Sequence, residues 1–129
     1  MPEPIVFVSH FRVKEGKLNE LRQHSRGILE MVEAEKVRTT AQLAYLDATG
    51  TKLSFVHVFM DADTMDLHFQ GAEDRSRAAY EFMDPAGWEI YGAPSAAALQ
   101  MMREVAKSAS VPLTVETEYV GGFLRTESA

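Results

Sequence analysis

Cysteine is absent from the 129 residues, which excludes disulfides, thiolate nucleophiles and cysteine-bound metals. A chain without cysteine fits a reducing compartment. The beginning, Met1-Pro2-Glu3-Pro4, lacks the basic start and apolar run of a signal peptide. No apolar run approaches the ~20 residues that span a bilayer. We therefore expect a cytoplasmic protein.

Positive charge is also scarce. Lys and Arg total 13 against 19 Asp and Glu, so the formal net charge is −6 at pH 7, and no basic stripe interrupts the sequence. The phosphates of nucleic acids and anionic membranes would be repelled by such a surface. We expect neither of these as a partner. A small-molecule ligand or another protein chain fits better.

Several catalytic motifs are missing as well. The sequence contains no G-x-S-x-G, no G-x-G-x-x-G and no H-E-x-x-H, so hydrolase, dinucleotide and zinc-protease functions lack their usual signals. Gly121-Gly122 is not followed by a helix that would bind an anion. A bulge in a final strand accounts for it better.

What remains is an ordinary globular composition, with 46% hydrophobic and 25% charged residues. A chain of this length matches one domain with one core, and we expect a single domain over residues 1–129. Residues 126–129 are predicted to form a loose tail.

A strand is predicted from Ile5 to Val13, because the side chains alternate between two faces. One face carries Ile5, Phe7, Phe11 and Val13, and the other carries Val6, Val8, His10 and Arg12. Helical spacing then predicts an amphipathic helix from Lys17 to about Lys36. Thr40 to Asp47 and Lys52 to Met60 resemble two strands of a hairpin, joined through Ala48-Thr49-Gly50.

The second half is predicted to begin with a helix capped by Asp63. Its apolar stripe runs from Met65 to Met83, and Asp84-Pro85-Ala86-Gly87 is expected to end it. A short strand at Trp88 to Tyr91 follows. A third helix with the stripe Leu99, Met102, Val105 and Ala106 and a strand from Pro112 to Leu124 complete the chain.

This order predicts an α+β fold: a ferredoxin-like split βαβ with a four-stranded antiparallel sheet, extended by a C-terminal helix and strand. Helices cover only one face of such a sheet, yet the strands are apolar on both. Burying one such side chain contributes roughly 1.5–3 kcal/mol, so an exposed face would forfeit several such contributions. We expect a second copy of the sheet to cover it in a homodimer.

Several segments resemble the antibiotic biosynthesis monooxygenase family among the dimeric α+β barrels. They are the strand with its glycine-led helix (Pro4 to Leu29), the hairpin, and the helix with Met65-Asp66-Leu67-His68-Phe69. Tyr91-Gly92-Ala93-Pro94-Ser95 and Val120-Gly121-Gly122-Phe123 resemble a subgroup with a longer second half. The resemblance covers nearly the whole chain.

The resemblance implies a dimer whose subunits each hold a pocket between sheet and helices, often with no bound cofactor. Some members oxidise quinols or aromatic polyketides with dioxygen. A haem-degrading branch uses an Asn on the first strand, a Trp and a helix His. His68 matches the helix His, but the single Asn is Asn19 in the first helix and the single Trp is Trp88 beyond the second. We therefore expect no haem and no other cofactor.

Three histidines are candidate proton acceptors. His68 is the first choice, because it precedes Phe69 in a helix facing the sheet and an imidazole titrates near neutral pH. His57 and His10 are the alternatives. The simpler interpretation is structural: His68 as a partly buried histidine bonded to a backbone carbonyl, and His57 and His10 as satisfied core or interface histidines.

Other residues are candidates for substrate binding. Arg12 could anchor an anion or a developing phenolate, although a surface ion pair is the simpler interpretation. Tyr80, Phe55 and Phe69 could line an aromatic pocket, although such residues usually belong to the core. Asp61, Asp63, Asp66 and His68 resemble a metal cluster, but helix caps explain the aspartates, and we expect no metal.

The leading hypothesis is a cofactor-independent monooxygenase that acts on a quinol-like or polyphenolic small molecule. The alternative is a dimeric binding or structural module without turnover. An imidazole facing an open pocket would favour the enzyme. A cavity filled by the seven methionines and seven phenylalanines would favour the module.

Overall fold

The structure, a computed structural model, describes residues 3–125. These residues form five strands and four helices: β1 (Ile5–Val13), α1 (Leu18–Glu35), β2 (Ala41–Leu46), β3 (Lys52–Phe59), α2 (Ala62–Phe69), α3 (Ala72–Ala79), β4 (Met83–Tyr91), α4 (Ala96–Ala109) and β5 (Leu113–Glu116). The predicted tail at 126–129 lies outside the described residues. None of the helices in the described part is long and apolar enough to cross a membrane.

The sheet has the strand order β2-β3-β1-β4-β5. The predicted α+β, ferredoxin-like arrangement with an added helix and strand is confirmed, but the predicted four-stranded antiparallel sheet is wrong. There are five strands, and β5 pairs with β4 in parallel. The reason is α4, which carries the chain back along the sheet so that β5 runs in the direction of β4.

The single helix predicted between Asp63 and Met83 is also wrong. The chain forms α2 and α3, separated at Gly71, whose φ of +79° places it in the left-handed region. A left-handed residue interrupts helical hydrogen bonding, and glycine adopts that conformation without a Cβ clash. The cap of α2 is Asp61, whose carboxylate accepts from the Thr64 backbone N–H at 2.8 Å.

Asp84-Pro85-Ala86-Gly87, expected to end a helix, lies inside β4. Its register against β1 shifts between His10 and Phe11, an irregularity that accommodates a proline without an N–H donor. The final strand is shorter than predicted. Pairing ends where Gly92 N–H donates to the Glu116 carbonyl, because β4 itself ends at Tyr91.

The helices pack on one face of the sheet, as the alternation in β1 predicts. Ile5, Phe7 and Phe11 join the buried cluster, which includes Leu21 of α1 and Met102 of α4. The opposite face, here called the open face, is more accessible. It carries Val6, Val8, Val56 and Val58, which are partly buried, and Leu43 and Tyr45, which are 49% and 58% exposed.

Candidate functional site

A cavity of about 490 Å³ lies between the inner face of the sheet and the helices. This volume is within the range of small-molecule pockets, roughly 300–1,000 Å³. Its wall is mainly aromatic and aliphatic, with Phe7, Phe11, Phe55, Phe69, Tyr80, Trp88 and Met102 among the lining side chains. A ligand buried here would exchange water for aromatic contacts, a favourable transfer for a ring system.

His57 lines this cavity from β3 and is 6% exposed. Its Nδ1 lies 2.9 Å from the Phe7 carbonyl oxygen. Because a carbonyl oxygen can only accept, Nδ1 carries the proton and Nε2 carries the lone pair. Burial lowers the pKa of His57 to about 4; the Phe7 hydrogen bond opposes this shift, and the Arg75 charge contributes to it. The residue is therefore a neutral hydrogen-bond acceptor at pH 7.

His68 reaches the same cavity from α2 and is 5% exposed. Its Nδ1 lies 2.8 Å from the Thr39 hydroxyl. Burial lowers its pKa to about 3, helped by His57, Arg75 and Lys36. The expectation of a base with a pKa near neutrality is thus wrong for both imidazoles, because a protonated ring is poorly solvated in this wall.

The two imidazoles form a contiguous polar edge in an aromatic wall. Their ring centroids lie 5.2 Å apart, with the planes at 73°. The Phe7 ring lies 5.2 Å from His57 on one side, and the Phe59 ring lies 5.1 Å from His68 on the other. Packing on both sides fixes the ring orientations, so the pair presents fixed hydrogen-bonding atoms to a bound molecule.

Further polar atoms of the cavity wall have no partner among residues 3–125. They are the Ser25 hydroxyl, Gln42 Oε1 and His24 Nε2, all buried atoms of lining residues. A buried polar atom without a hydrogen bond costs roughly 1–3 kcal/mol. A ligand or water that satisfied these atoms would recover part of that free energy.

Among the remaining candidates, Tyr80, Phe55 and Phe69 line the cavity, and burial raises the pKa of Tyr80. His10 and Arg12 do not line this cavity. They point to the open face, where His10 Nδ1 lies 2.8 Å from Ser54 Oγ and its Nε2 contacts the Glu89 carboxylate. The structure therefore brings His57 and His68 together and separates both from His10 and Arg12.

The aspartates that resembled a metal cluster have structural contacts. Asp61 caps α2 through the backbone N–H and hydroxyl of Thr64. The Asp66 carboxylate accepts from the Ser95 hydroxyl at 2.8 Å and so links α2 to the start of α4.

Sequence reasoning missed most of the polar residues of the cavity wall, among them Ser25, Gln42, His24 and Arg75. Ser25 interrupts the apolar stripe of α1 between Leu21 and Ile28, and this polar residue at a core position was a usable signal. Gln42 gave none, because the apolar Ala41 and Leu43 on either side of it do not indicate which face of the strand turns inward. His24 and Arg75 likewise lie in polar stretches, where only the tertiary fold shows that they border a cavity.

No protein-family model matches this sequence, and no curated protein sequence matches it. Solved structures do resemble it. MupZ from Pseudomonas fluorescens is 14% identical with a TM-score of 0.69, and the match covers 97% of this chain and 91% of MupZ. So high a coverage of this chain includes the α4 and β5 extension.

Two further structures match about seven tenths of the chain. SnoaB, a cofactor-independent oxygenase from Streptomyces nogalater, is 14% identical with a TM-score of 0.57, covering 72% of this chain and 95% of SnoaB. A candidate antibiotic biosynthesis monooxygenase from Deinococcus radiodurans is 14% identical with a TM-score of 0.58, covering 71% and 94%. The chain thus has the fold of the antibiotic biosynthesis monooxygenase-like proteins, as the sequence resemblance implied.

Proposed function

We propose that this protein is a cofactor-independent monooxygenase whose substrate is a hydroxylated, electron-rich aromatic molecule of the quinol or polyphenol type. The observation that carries the proposal is the Nε2 lone pair of His57 on the wall of an aromatic cavity. The fold shared with SnoaB, a cofactor-independent oxygenase, supports the same chemistry.

The reaction needs no external reductant. A phenol with a free para C–H combines with dioxygen to give a para-quinone and water, and a quinol with a free ring C–H gives a hydroxyquinone and water in the same way. One oxygen atom enters the ring, the other leaves as water, and the substrate supplies all four electrons. The role of the protein is to bind the ring in a dry site and to take the hydroxyl proton.

Proton transfer follows from the low pKa of His57. A phenol has a pKa of about 10, so a ring with a pKa of about 4 does not deprotonate it at rest. Instead, His57 accepts a hydrogen bond from the phenol, and this bond raises the electron density of the phenol ring. Once an electron has passed to dioxygen, the oxidised phenol is far more acidic, and His57 Nε2 then accepts the proton. His68, the other neutral imidazole of the wall, is the second candidate for this role.

The test is oxygen uptake with a panel of quinols, naphthols and anthrones. His57→Gln retains a similar size but cannot take up the proton, so we expect a loss of about 10²–10⁴-fold in kcat. His68→Gln ranks the second candidate in the same assay. His10→Gln, on the open face, is the matched control and should keep full activity. Equal rates for wild type and His57→Gln would remove His57 from the mechanism.

The alternative of a binding module has one observation in its favour, since both imidazoles are weak bases. The cavity argues against a structural module whose interior is filled by methionine and phenylalanine side chains. A protein that binds ring compounds at the cavity but consumes no oxygen across the panel would be such a module.

We also propose that two copies associate through their open faces. Val8 and Val56 lie side by side at the centre of this face, and Leu43 lies opposite Val56 on β2. Leu43 and Tyr45 are about half exposed in the single chain, with exposures of 49% and 58%. A second copy would remove this apolar surface from water, which favours association.

A further inference from the structure

Arg75 of α3 borders the cavity and is partly buried. Its Nη2 donates to the His68 carbonyl at 2.7 Å, and its Nη1 donates to the Gln70 carbonyl at 3.0 Å. These bonds hold the guanidinium at the C-terminal end of α2. They use two of its five N–H donors, so the group remains able to bind a further acceptor.

The charge of Arg75 has no acidic partner in the described part of the chain. No carboxylate of residues 3–125 lies within 4.0 Å of its guanidinium, whereas the neighbouring Arg77 contacts Glu73 at 3.3 Å and Asp74 at 2.9 Å. Arg77 and Glu73 also border the cavity, but they compensate each other. Because His57 and His68 are neutral at pH 7, Arg75 is the uncompensated charge of the wall.

A partly buried cation without a counter-ion is unfavourable, and an anion from solution can restore the balance. We propose that the cavity selects an anionic ligand, an aromatic carboxylate or a similar acid, whose acid group binds Arg75 and whose ring lies against the aromatic wall. This inference rests on the proposed function, because it assigns an acid group to the same substrate whose hydroxyl donates a hydrogen bond to His57. It gives Arg75 the role that the sequence suggested for Arg12.

A bound anionic ligand would also change the pKa values of His57 and His68. After burial, the Arg75 charge is one of the causes that lower the pKa of both His57 and His68. An anion on the guanidinium offsets that repulsion. An anionic ligand should therefore leave both rings easier to protonate than a neutral ligand of the same shape.

The test uses two fluorescent probes that share one ring system. Anilinonaphthalene sulfonate carries an acid group, and N-phenylnaphthylamine lacks it. The wild-type protein should bind the sulfonate more tightly by about tenfold or more, because ionic hydrogen bonds are stronger than neutral ones. Arg75→Gln should abolish this preference, and Arg75→Lys, which keeps the charge, should retain part of it.

Arg12→Gln is the control for the position of the probe, because it removes a charge on the open face and leaves the charges of the cavity wall unchanged. It should keep the wild-type preference. Equal affinity of wild type for the two probes, or an unchanged preference in Arg75→Gln, would overturn the proposal.

A second measurement avoids any variant that fails to fold. In the wild-type protein, NMR titration should show higher pKa values for His57 and His68 with the sulfonate bound than with the neutral probe. Identical values would overturn the proposal. Neither probe reports turnover, so a preference for the sulfonate in a protein without oxygen uptake would refute the oxygenase and keep the acid-binding site. Oxygen uptake without a preference for the sulfonate would support the oxygenase and refute the acid-binding site.

Discussion

At the scale of single residues, the hydrogen bond between His57 Nδ1 and the Phe7 carbonyl has the largest effect on the candidate chemistry. It joins β3 to β1, fixes the tautomer and directs the free nitrogen away from the backbone. The sequence identified both cavity imidazoles as candidates. It could not indicate their low pKa, because that depends on how tightly the surrounding rings bury them.

The first prediction concerns the pH dependence of turnover. The pKa values of about 4 for His57 and about 3 for His68 keep both rings neutral well below pH 6. The kcat/KM for oxygen uptake should therefore be constant from about pH 5.5 to 8, since this parameter reports the ionisation of the free enzyme. A substrate that does not ionise in this range makes the measurement clean. An acid limb near pH 6.5 would show that an ordinary histidine is the base.

A second prediction concerns acid stability. In the unfolded chain His57 has its ordinary pKa of 6.5, and in the folded protein about 4. Between these values the unfolded state binds more protons, so the free energy of unfolding falls as the pH falls through this window. From pH 7 to about pH 4.5 this residue should account for a loss of roughly 2 kcal/mol.

Urea unfolding of wild type and His57→Gln at the two pH values measures that difference. The carboxylates that protonate over the same range are common to both proteins and cancel. The variant should lose less stability on acidification than the wild type. Equal losses would mean that His57 titrates alike in the folded and unfolded states.

At the scale of elements, the segment between β3 and β4 shows where sequence patterns fail. The apolar stripe from Met65 to Met83 is compatible with one helix, and only the left-handed Gly71 divides it into α2 and α3. That division brings Arg75 back to the end of α2, next to the cavity. A glycine in a helical pattern is often tolerated, so the sequence alone could not show that this one ends a helix.

Two glycine substitutions test this interpretation of the helices. Gly27 lies inside α1, and an added Cβ would meet no atom within 4 Å beyond the neighbouring backbone of its own helix, so Gly27→Ala should stabilise the protein by roughly 0.5–1 kcal/mol. Gly71 has a φ of +79°, and its added Cβ would lie 3.3 Å from Arg75 Nη1. Gly71→Ala should destabilise the protein by about 1–2 kcal/mol.

Urea unfolding midpoints of the two variants provide the comparison. The same change of one methyl group is expected to act in opposite directions, so a general effect of alanine is excluded. Stabilisation by Gly71→Ala would indicate a continuous helix across residue 71.

The prediction of the β elements succeeded where alternation was strong. The two faces of β1 are as the sequence indicates. The inward face carries large apolar side chains, whereas the outward face includes the polar His10 and Arg12. The length of β4 was missed, since Pro85 and Gly87 are residues of turns as well as of bulges. In this chain the two residues lie in a strand, because β4 pairs with β1 from Met83 to Tyr91. That pairing joins segments far apart in the sequence, so the local pattern does not reveal it.

At the scale of the whole molecule, the sheet separates two surfaces with different chemistry. The inner face holds the cavity, whereas the open face holds valines together with the network of His10, Ser54, Glu89 and Tyr91. The Tyr91 hydroxyl and His10 lower the pKa of the Glu89 carboxyl, so it remains charged on that face. In the proposed dimer, the second copy would therefore cover the valines and this polar network together.

The prediction at this scale is that Leu43→Glu converts a dimer to a monomer. The substitution places a charge beside Val56 within the proposed contact, where its desolvation opposes association. Light scattering at micromolar concentration should give twice the chain mass for wild type and the chain mass for the variant. Val37→Glu is the matched control, since Val37 is 78% exposed in the segment between α1 and β2. A wild-type monomer would contradict the proposed association.

The alternation of β1 also limits how related sequences can diverge in length. Its odd-numbered side chains, such as Phe7 and Ser9, border the cavity, while Val6 and Val8 belong to the open face. Insertion or deletion of one residue inside the strand would exchange the two sets and ruin both surfaces in a single event. The hairpin loop at 48–50 carries no such constraint. Gaps between homologous sequences should therefore collect in that loop, whereas β1 should diverge by substitution alone.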